Sequence, residues 1–260
     1  MACGFDSHPR HMSIRAFKKI NQDFFKKWSP NMAYVLGFFV ADGCIILNKN
    51  RKKNPFIFNI TSVDLKHLYK IKKALGSEHK ISNKSGNSSN IAHQIHFRNS
   101  VLANDLIKLG IFPRKTYNLK SIKVPNKYFP DFVRGFFDGD GSVYTYKVNG
   151  TSQIKVGFVS VSLPFLTEFN QQLCSNIGIS IKSIHKTVDK RKGRMIRYDI
   201  CFYVDDCEKL SKFMYGNNPS LYLPRKRRIF EKWKLINRRS YIKRNYPSKI
   251  GWHLNQKVST

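Results

Sequence analysis

The chain has 260 residues, with 47 Lys and Arg against 16 Asp and Glu, a formal charge of +31. Such an excess repels itself in a compact state unless a polyanion offsets it, so nucleic acid is the expected partner. An anionic membrane is the rival, but no apolar run approaches the ~20 residues that span a bilayer, and no strongly amphipathic basic helix stands out.

Hydrophobic residues at 41% and aromatics at 13% are enough for two compact units, each of about 100 residues. The five cysteines, Cys3, Cys44, Cys174, Cys201 and Cys207, are odd in number and none forms a Cys-x-x-Cys pair. That argues against a disulfide framework or a zinc ribbon and for a reducing, intracellular compartment.

Residues 1–12 carry no secretory or transit signal and no apolar period. Gly4-Phe5-Asp6-Ser7 can be encoded by the core of a tRNA T-arm, so Met12 is the expected translation start. Ser29-Pro30-Asn31 signals a helix start, the next residues run apolar to Asp42, and Gly43 supplies the stop. Residues 44–49 and 55–62 alternate like paired strands around the basic loop 49–54. Residues 64–75 have helical spacing, 79–83 and 91–98 read as two more strands, and 100–109 as a short helix. His93 and His96 fall on opposite faces of their strand, which suits surface histidines better than metal ligands.

The second half repeats this order: helix 126–140, strands 142–148 and 153–161, helix 164–177, strands 181–188 and 195–203, helix 205–215, then a basic helix 225–239. The expected division is an N-terminal extension 1–29, a first repeat 30–120, a second repeat 121–239 and a basic tail 240–260.

Two landmarks recur in order. Val35-Leu36-Gly37-Phe38-Phe39-Val40-Ala41-Asp42-Gly43 returns as Val133-Arg134-Gly135-Phe136-Phe137-Asp138-Gly139-Asp140-Gly141, and Pro113-Arg114-Lys115 returns as Pro224-Arg225-Lys226. The separations are domain-sized and point to a duplication. Each first-type motif ends in an aspartate where a helix exposes carbonyls and a partial negative charge. A divalent cation removes that conflict, because carboxylates and carbonyl oxygens suit Mg²⁺. Gly37 and Ala41, like Gly135 and Gly139, lie four apart on one helix face, so the two helices can approach closely and bring Asp42 and Asp140 together at a pseudo-two-fold axis. Gly43 and Gly141 are expected to supply left-handed turns. An EF-hand at Asp138 is rejected, because Val143 and Asn149 stand where Gly and Glu are needed.

These motifs, their spacing and the element order resemble the LAGLIDADG homing endonucleases in their single-chain, two-repeat form, over roughly residues 30 to 235. The resemblance implies an α+β fold: two αββαββα repeats packed through the motif helices, their antiparallel sheets forming a DNA-binding saddle. It implies metal-dependent hydrolysis of one phosphodiester per strand across the minor groove of a long, asymmetric site. Asp42 and Asp140 match the metal-binding acids, with the carbonyls of Ala41 and Gly139 as further ligands. Mg²⁺ is the expected ion, and Mn²⁺ or Ca²⁺ can occupy the site. The sixth motif position, usually acidic, is Asp138 in one motif but Val40 in the other. By the same resemblance Lys115 and Lys226 are the basic catalytic residues, with Arg114 or Arg225 as alternatives, and Ser62 and Ser162 order water.

On the strands, outward residues alternate with buried ones. The candidate DNA contacts are Asn48, Lys49, Lys53, Lys84 and Arg98 in the first repeat, and Tyr144, Tyr146, Lys147, Lys155, Lys186, Lys190, Arg191, Lys192, Arg194 and Arg197 in the second, with Arg225 beyond them. Most such lysines contact phosphate rather than bases. The expected partner is double-stranded DNA, bound by a monomer with internal pseudo-symmetry. Intron RNA is the alternative, for a maturase on the same scaffold; a non-cleaving DNA-binding protein is a further one. Retention of both aspartates favours cleavage. A nuclease site built on Asp64, Glu78 and Lys80 is discounted, because 64 and 78 fall on and just past a helix.

Overall fold

The computed structural model describes residues 18–84, 91–115, 119–189 and 195–245. The expected start at Met12 lies outside them.

Helix α1 (Pro30–Asp42) begins as its sequence dictates. The hydroxyl of Ser29 accepts a hydrogen bond from the Met32 amide at 3.1 Å, and Pro30 fills the first turn, where its missing N–H costs nothing. Strands β1 (Gly43–Leu47) and β2 (Phe56–Ser62) form a hairpin; helix α2 (Leu65–Ala74), strands β3 (Ile81–Lys84) and β4 (Ala92–Arg98) and helix α3 (Ser100–Lys108) complete the first repeat. The second repeat opens with a short 3₁₀ turn (Asn126–Tyr128) in place of a continuous helix from 126, and then α4 (Phe129–Asp140). It continues through β5 (Ser142–Val148), β6 (Thr151–Ser160), α5 (Leu163–Ile177), β7 (His185–Asp189), β8 (Met195–Tyr203), α6 (Val204–Tyr215) and α7 (Pro224–Asn245).

Each repeat is an antiparallel four-stranded sheet, in the orders β1-β2-β4-β3 and β5-β6-β8-β7. Two boundaries differ from the sequence reading. Helix α7 runs to Asn245, into the segment expected as a tail. Residues 19–28 pack on the first repeat: Phe24 and Phe25 are buried, the Glu78 amide donates to the Lys19 carbonyl while the Lys19 amide donates to the Glu78 carboxylate, and Trp28 stacks on Tyr128 of the second repeat with centroids 6.1 Å apart.

The repeats meet through α1 and α4, and the glycines set how closely. A Cβ on Gly37 would lie 2.1 Å from the Phe132 carbonyl oxygen, and one on Gly135 2.0 Å from that of Tyr34. These helices therefore touch backbone to backbone. Around them packs a phenylalanine-rich core, with Phe38, Phe39, Phe136, Phe137, Phe58 and Phe158 at most 1% exposed. Helix α1 is consequently apolar nearly all round, as a helix buried between two sheets must be, whereas α4 also buries Arg134 and Asp138. No helix among the described residues is long and apolar enough to cross a membrane.

The motif-ending glycines correct one expectation. Gly43 and Gly141 have φ of −94° and −76°, which is extended rather than left-handed backbone. Space, not conformational freedom, requires them. A Cβ on Gly43 would come 2.3 Å from the Phe39 ring, and one on Gly141 2.4 Å from the Phe137 ring.

Candidate active site

Helices α1 and α4 end side by side, and so do their terminal carboxylates. A Cβ built on Gly139 would stand 2.2 Å from that of Ala41 and 3.5 Å from Oδ2 of Asp42. Asp42 is half-buried, and Asp140 reaches solvent at the same spot. Burial pushes the Asp42 carboxyl up to about 6, and the neighbouring Asp140 charge adds to the rise against the pull of Lys115, Lys226 and Arg225. Asp140 is raised too, chiefly by its dense surroundings. Two carboxyls held above their usual range at the negative ends of two helices make a pair in need of a cation.

Lys115 and Lys226 bring part of that charge. The Lys115 ammonium donates to the carbonyls of Val40 and of Ala41, the latter at 3.1 Å. That of Lys226 donates to Phe137 (2.6 Å), Asp138 (2.9 Å) and Gly141 (2.6 Å). Each lysine thus caps the motif helix of its own repeat, where a cation is favoured. Burial lowers both ammonium groups to about 8, against the pull of the aspartates. Of the three N–H donors on each, Lys226 uses all three on carbonyls, whereas Lys115 uses two.

The arginine alternatives point elsewhere. Arg114 is exposed with φ of +58°. Arg225 reaches across the repeat boundary to Asp64, at 3.0 Å from Oδ2. Arg225, Asp64, Thr61, Ser62 and Asp138 line, with Asp42, a cavity of ≈ 310 Å³ beside the acid pair.

The two serines are not equivalent. Ser62 lines that cavity and accepts from the Asp64 amide. Ser162 is 6% exposed, caps α5 by accepting from the Phe165 amide, and donates to the Leu119 carbonyl. It is a helix cap with its hydroxyl spent, and the water-ordering role expected for it is withdrawn.

Asp138, the odd acid of the second motif, is tied up between the repeats. Its Oδ2 accepts from the Tyr34 hydroxyl (2.7 Å) and from the Leu223 amide (2.7 Å), and that hydroxyl also meets Nε2 of His67 (2.9 Å). Burial raises Asp138 to about 6. Beside it the buried Arg134 guanidinium donates to the carbonyls of Leu221 and Met214 and to Asp131, and lies 5.3 Å from the Tyr34 ring centroid. This network was missed in the sequence. Arg134 and Asp138, charged where the first motif has Leu36 and Val40, were its visible traces.

Register decides which strand residues face outward. Phe58, Ile60, Ile95 and Phe97 point to the core, so Asn59, Thr61, Gln94, His96 and Arg98 share the outer face with Ile46, Ser82 and Lys84. Asn48 continues that face just past β1, while Lys49 and Lys53 sit in the turn after it. In the second sheet Ile154, Val156, Ile200 and Phe202 are core. Tyr144, Tyr146, Lys155 and Arg197 therefore face out, joined by Gln153, Thr187, Asp199 and Tyr203, which the sequence reading passed over.

Lys147 pairs with Ser152 and Lys186 with Tyr198, on the helix side of the sheet. Period-two alternation excludes these two from the outer face. Lys190, Arg191, Lys192 and Arg194 lie outside the described residues. The parity of the buried phenylalanines was the signal that could have sorted these positions.

Residues 131–212 match the LAGLIDADG-like domain family. A curated uncharacterized protein of Methanocaldococcus jannaschii is 28% identical over 185 residues, covering 70% of this chain and 61% of that protein. Among solved structures, I-SmaMI bound to uncleaved DNA target in the presence of calcium ions superposes with a TM-score of 0.56 at 18% identity, covering 83% of this chain and 94% of that one. The homing endonuclease I-GzeII in complex with DNA target gives 0.53 at 15% identity, covering 83% and 93%. The meganuclease I-CpaMI bound to uncleaved DNA gives 0.51 at 15% identity, covering 84% and 95%. Residues 131–212 thus match a LAGLIDADG-like domain, and over most of the chain the two-repeat fold is similar to that of these solved structures.

Proposed function

We propose that the chain is a metal-dependent, site-specific endonuclease that hydrolyses one phosphodiester in each strand of a long, asymmetric DNA target. The observation that carries this reading is the pair Asp42 and Asp140, side by side at the ends of two packed helices and flanked by the buried Lys115 and Lys226. A pure binding protein has no use for two neighbouring aspartates, both held above the usual carboxylate range, on a chain of charge +31.

The donor set fits a hard divalent cation. Among the described residues no cluster of three or more His, Cys, Asp or Glu could hold a metal. That leaves two carboxylates, nearby carbonyls and the phosphates of the substrate, a set that Mg²⁺ accepts and Mn²⁺ or Ca²⁺ can share. Asp42 and Asp140 would hold the ion, with the carbonyl of Gly139 as a further donor. The Ala41 carbonyl already accepts from Lys115, so a cation there would share its second lone pair. When bound, the ion supplies Lewis-acid polarisation of the phosphate and a more acidic water.

The protein's own groups do the rest. Lys115, with a spare N–H, can donate to a phosphate oxygen as charge develops on it. Lys226 acts through its positive charge unless it releases a carbonyl. The outer faces of the sheets lie against the duplex, where a two-stranded ribbon fits the major groove.

Cleavage of the uninterrupted DNA around the gene's own insertion point, with Mg²⁺ and with EDTA, tests the reading. The expected result is a discrete, Mg²⁺-dependent double-strand cut, lost in Asp42→Asn and in Asp140→Asn with DNA affinity retained. Full cutting by either variant sinks the assignment. Binding without cutting makes the host intron RNA the next ligand to test.

A further inference from the structure

The outer face of the second sheet carries an acidic side chain. Asp199 lies in β8, opposite Val159 of β6 and His185 of β7, with Arg197 two residues along the same face. It is half-buried and loosely held: the Thr187 hydroxyl donates to Oδ1 at 3.4 Å and the Cys201 thiol to Oδ2 at 3.6 Å. An ionised carboxylate offers about four acceptor positions and no donor. Among the described residues, these two long contacts leave most of that capacity open.

Against a DNA backbone this is the wrong sign, because phosphate is bound by cations. The major groove is different. Two base groups donate there, the N4 amino of cytosine and the N6 amino of adenine. Adenine places the N7 acceptor beside its amino group, so the second carboxylate oxygen would face a lone pair. Cytosine has no acceptor beside N4. A carboxylate therefore suits cytosine, as an amide suits adenine.

We infer that Asp199 is a specificity residue that accepts a hydrogen bond from the N4 amino group of one cytosine, fixing a G·C pair in the half-site read by the second repeat. The inference rests on the DNA-reading function proposed above and names one element of its target.

The test is binding selection by the full chain, in EDTA, from duplexes randomised over about 20 base pairs, the length two such sheets cover. The wild type is expected to enrich cytosine at one position of one half-site. Asp199→Ala should lose that preference by about 5- to 150-fold, the span of one good base contact, with the other positions unchanged. Asp199→Asn should move the same position toward adenine. Identical selections by Asp199→Ala and wild type would overturn the inference. So would preferences altered across the whole site, which would make Asp199 a residue that shapes the sheet. Failure of the wild type to enrich any duplex is a separate outcome, because it removes the DNA-reading function itself.

Discussion

The buried ammonium of Lys226 makes three hydrogen bonds to carbonyls at the end of α4 and lies 5.0 Å from the Phe137 ring centroid. Removing it takes away both a helix cap and a positive charge beside the acid pair. Lys226→Met should lower cleavage by about 10²-fold, the usual effect of removing one preorganised electrostatic group, here through the lost positive charge, with DNA affinity within a few-fold of wild type. Near-normal cutting would reduce Lys226 to a cap.

His67 gives a pH prediction. The Tyr34 hydroxyl donates to Asp138, so it accepts from Nε2–H of His67, and Nδ1 is left buried without a partner. Burial lowers this histidine from 6.5 to about 4. The folded state thus refuses a proton that the unfolded chain takes up. The stability His67 allows is complete above pH 6.5 and is lost as pH falls toward 4. At pH 5 the loss is roughly 2 kcal/mol. Asp42 and Asp138, both raised to about 6, act with the opposite sign, so the difference between variants isolates the histidine. His67→Gln keeps a donor for Tyr34 and should lose less melting temperature than wild type between pH 7 and 5. Equal losses would contradict the neutral, buried assignment.

At the level of the helices, the whole site depends on how closely α1 and α4 approach. A methyl group on Gly135 would meet the Tyr34 carbonyl oxygen at 2.0 Å, an atom of the opposing backbone with no flexible side chain to yield. Gly135→Ala should cost about 1–3 kcal/mol, lowering the melting temperature by several degrees. It should also push Asp140 away from Asp42, so cleavage should fall more than binding does. Calorimetry and cleavage kinetics on the same preparation check both parts. The helix ends, the spacing of the small residues and the repeat of Pro-Arg-Lys were readable because each is local: a cap, a face, a duplicated string. The Arg225–Asp64 pair and the Tyr34–Asp138–His67 network were not, because their members are 161, 104 and 33 residues apart and no short-range pattern links them.

Over the whole molecule, +31 charges should dominate encounter with DNA. If six to ten phosphates are contacted, affinity should fall about 10³- to 10⁵-fold between 50 and 200 mM salt. Filter binding across that range measures the slope, and a shallow slope would count against a backbone-tracking saddle. The two halves share a fold without sharing chemistry. One serine opens on the cavity while its counterpart is a buried cap, and one motif carries a buried acid where the other has Val40. Under the proposed function, that inequivalence predicts an asymmetric target.

The amino-acid string was enough for the duplication, the element order and the pair of aspartates that the fold brings together, because periodicity and helix-end chemistry act over a few residues. It also suggested that the motif helices touch, since small residues four apart mark a face. The packed molecule alone assigned Gly43 and Gly141 to steric need, took Ser162 out of the site, turned Lys147 and Lys186 to the helix side of their sheet and set Asp199 on the outer face. Each of those outcomes hangs on which atom stands opposite across a register or a helix contact, and that is set by chain segments distant in sequence packing at fixed separations.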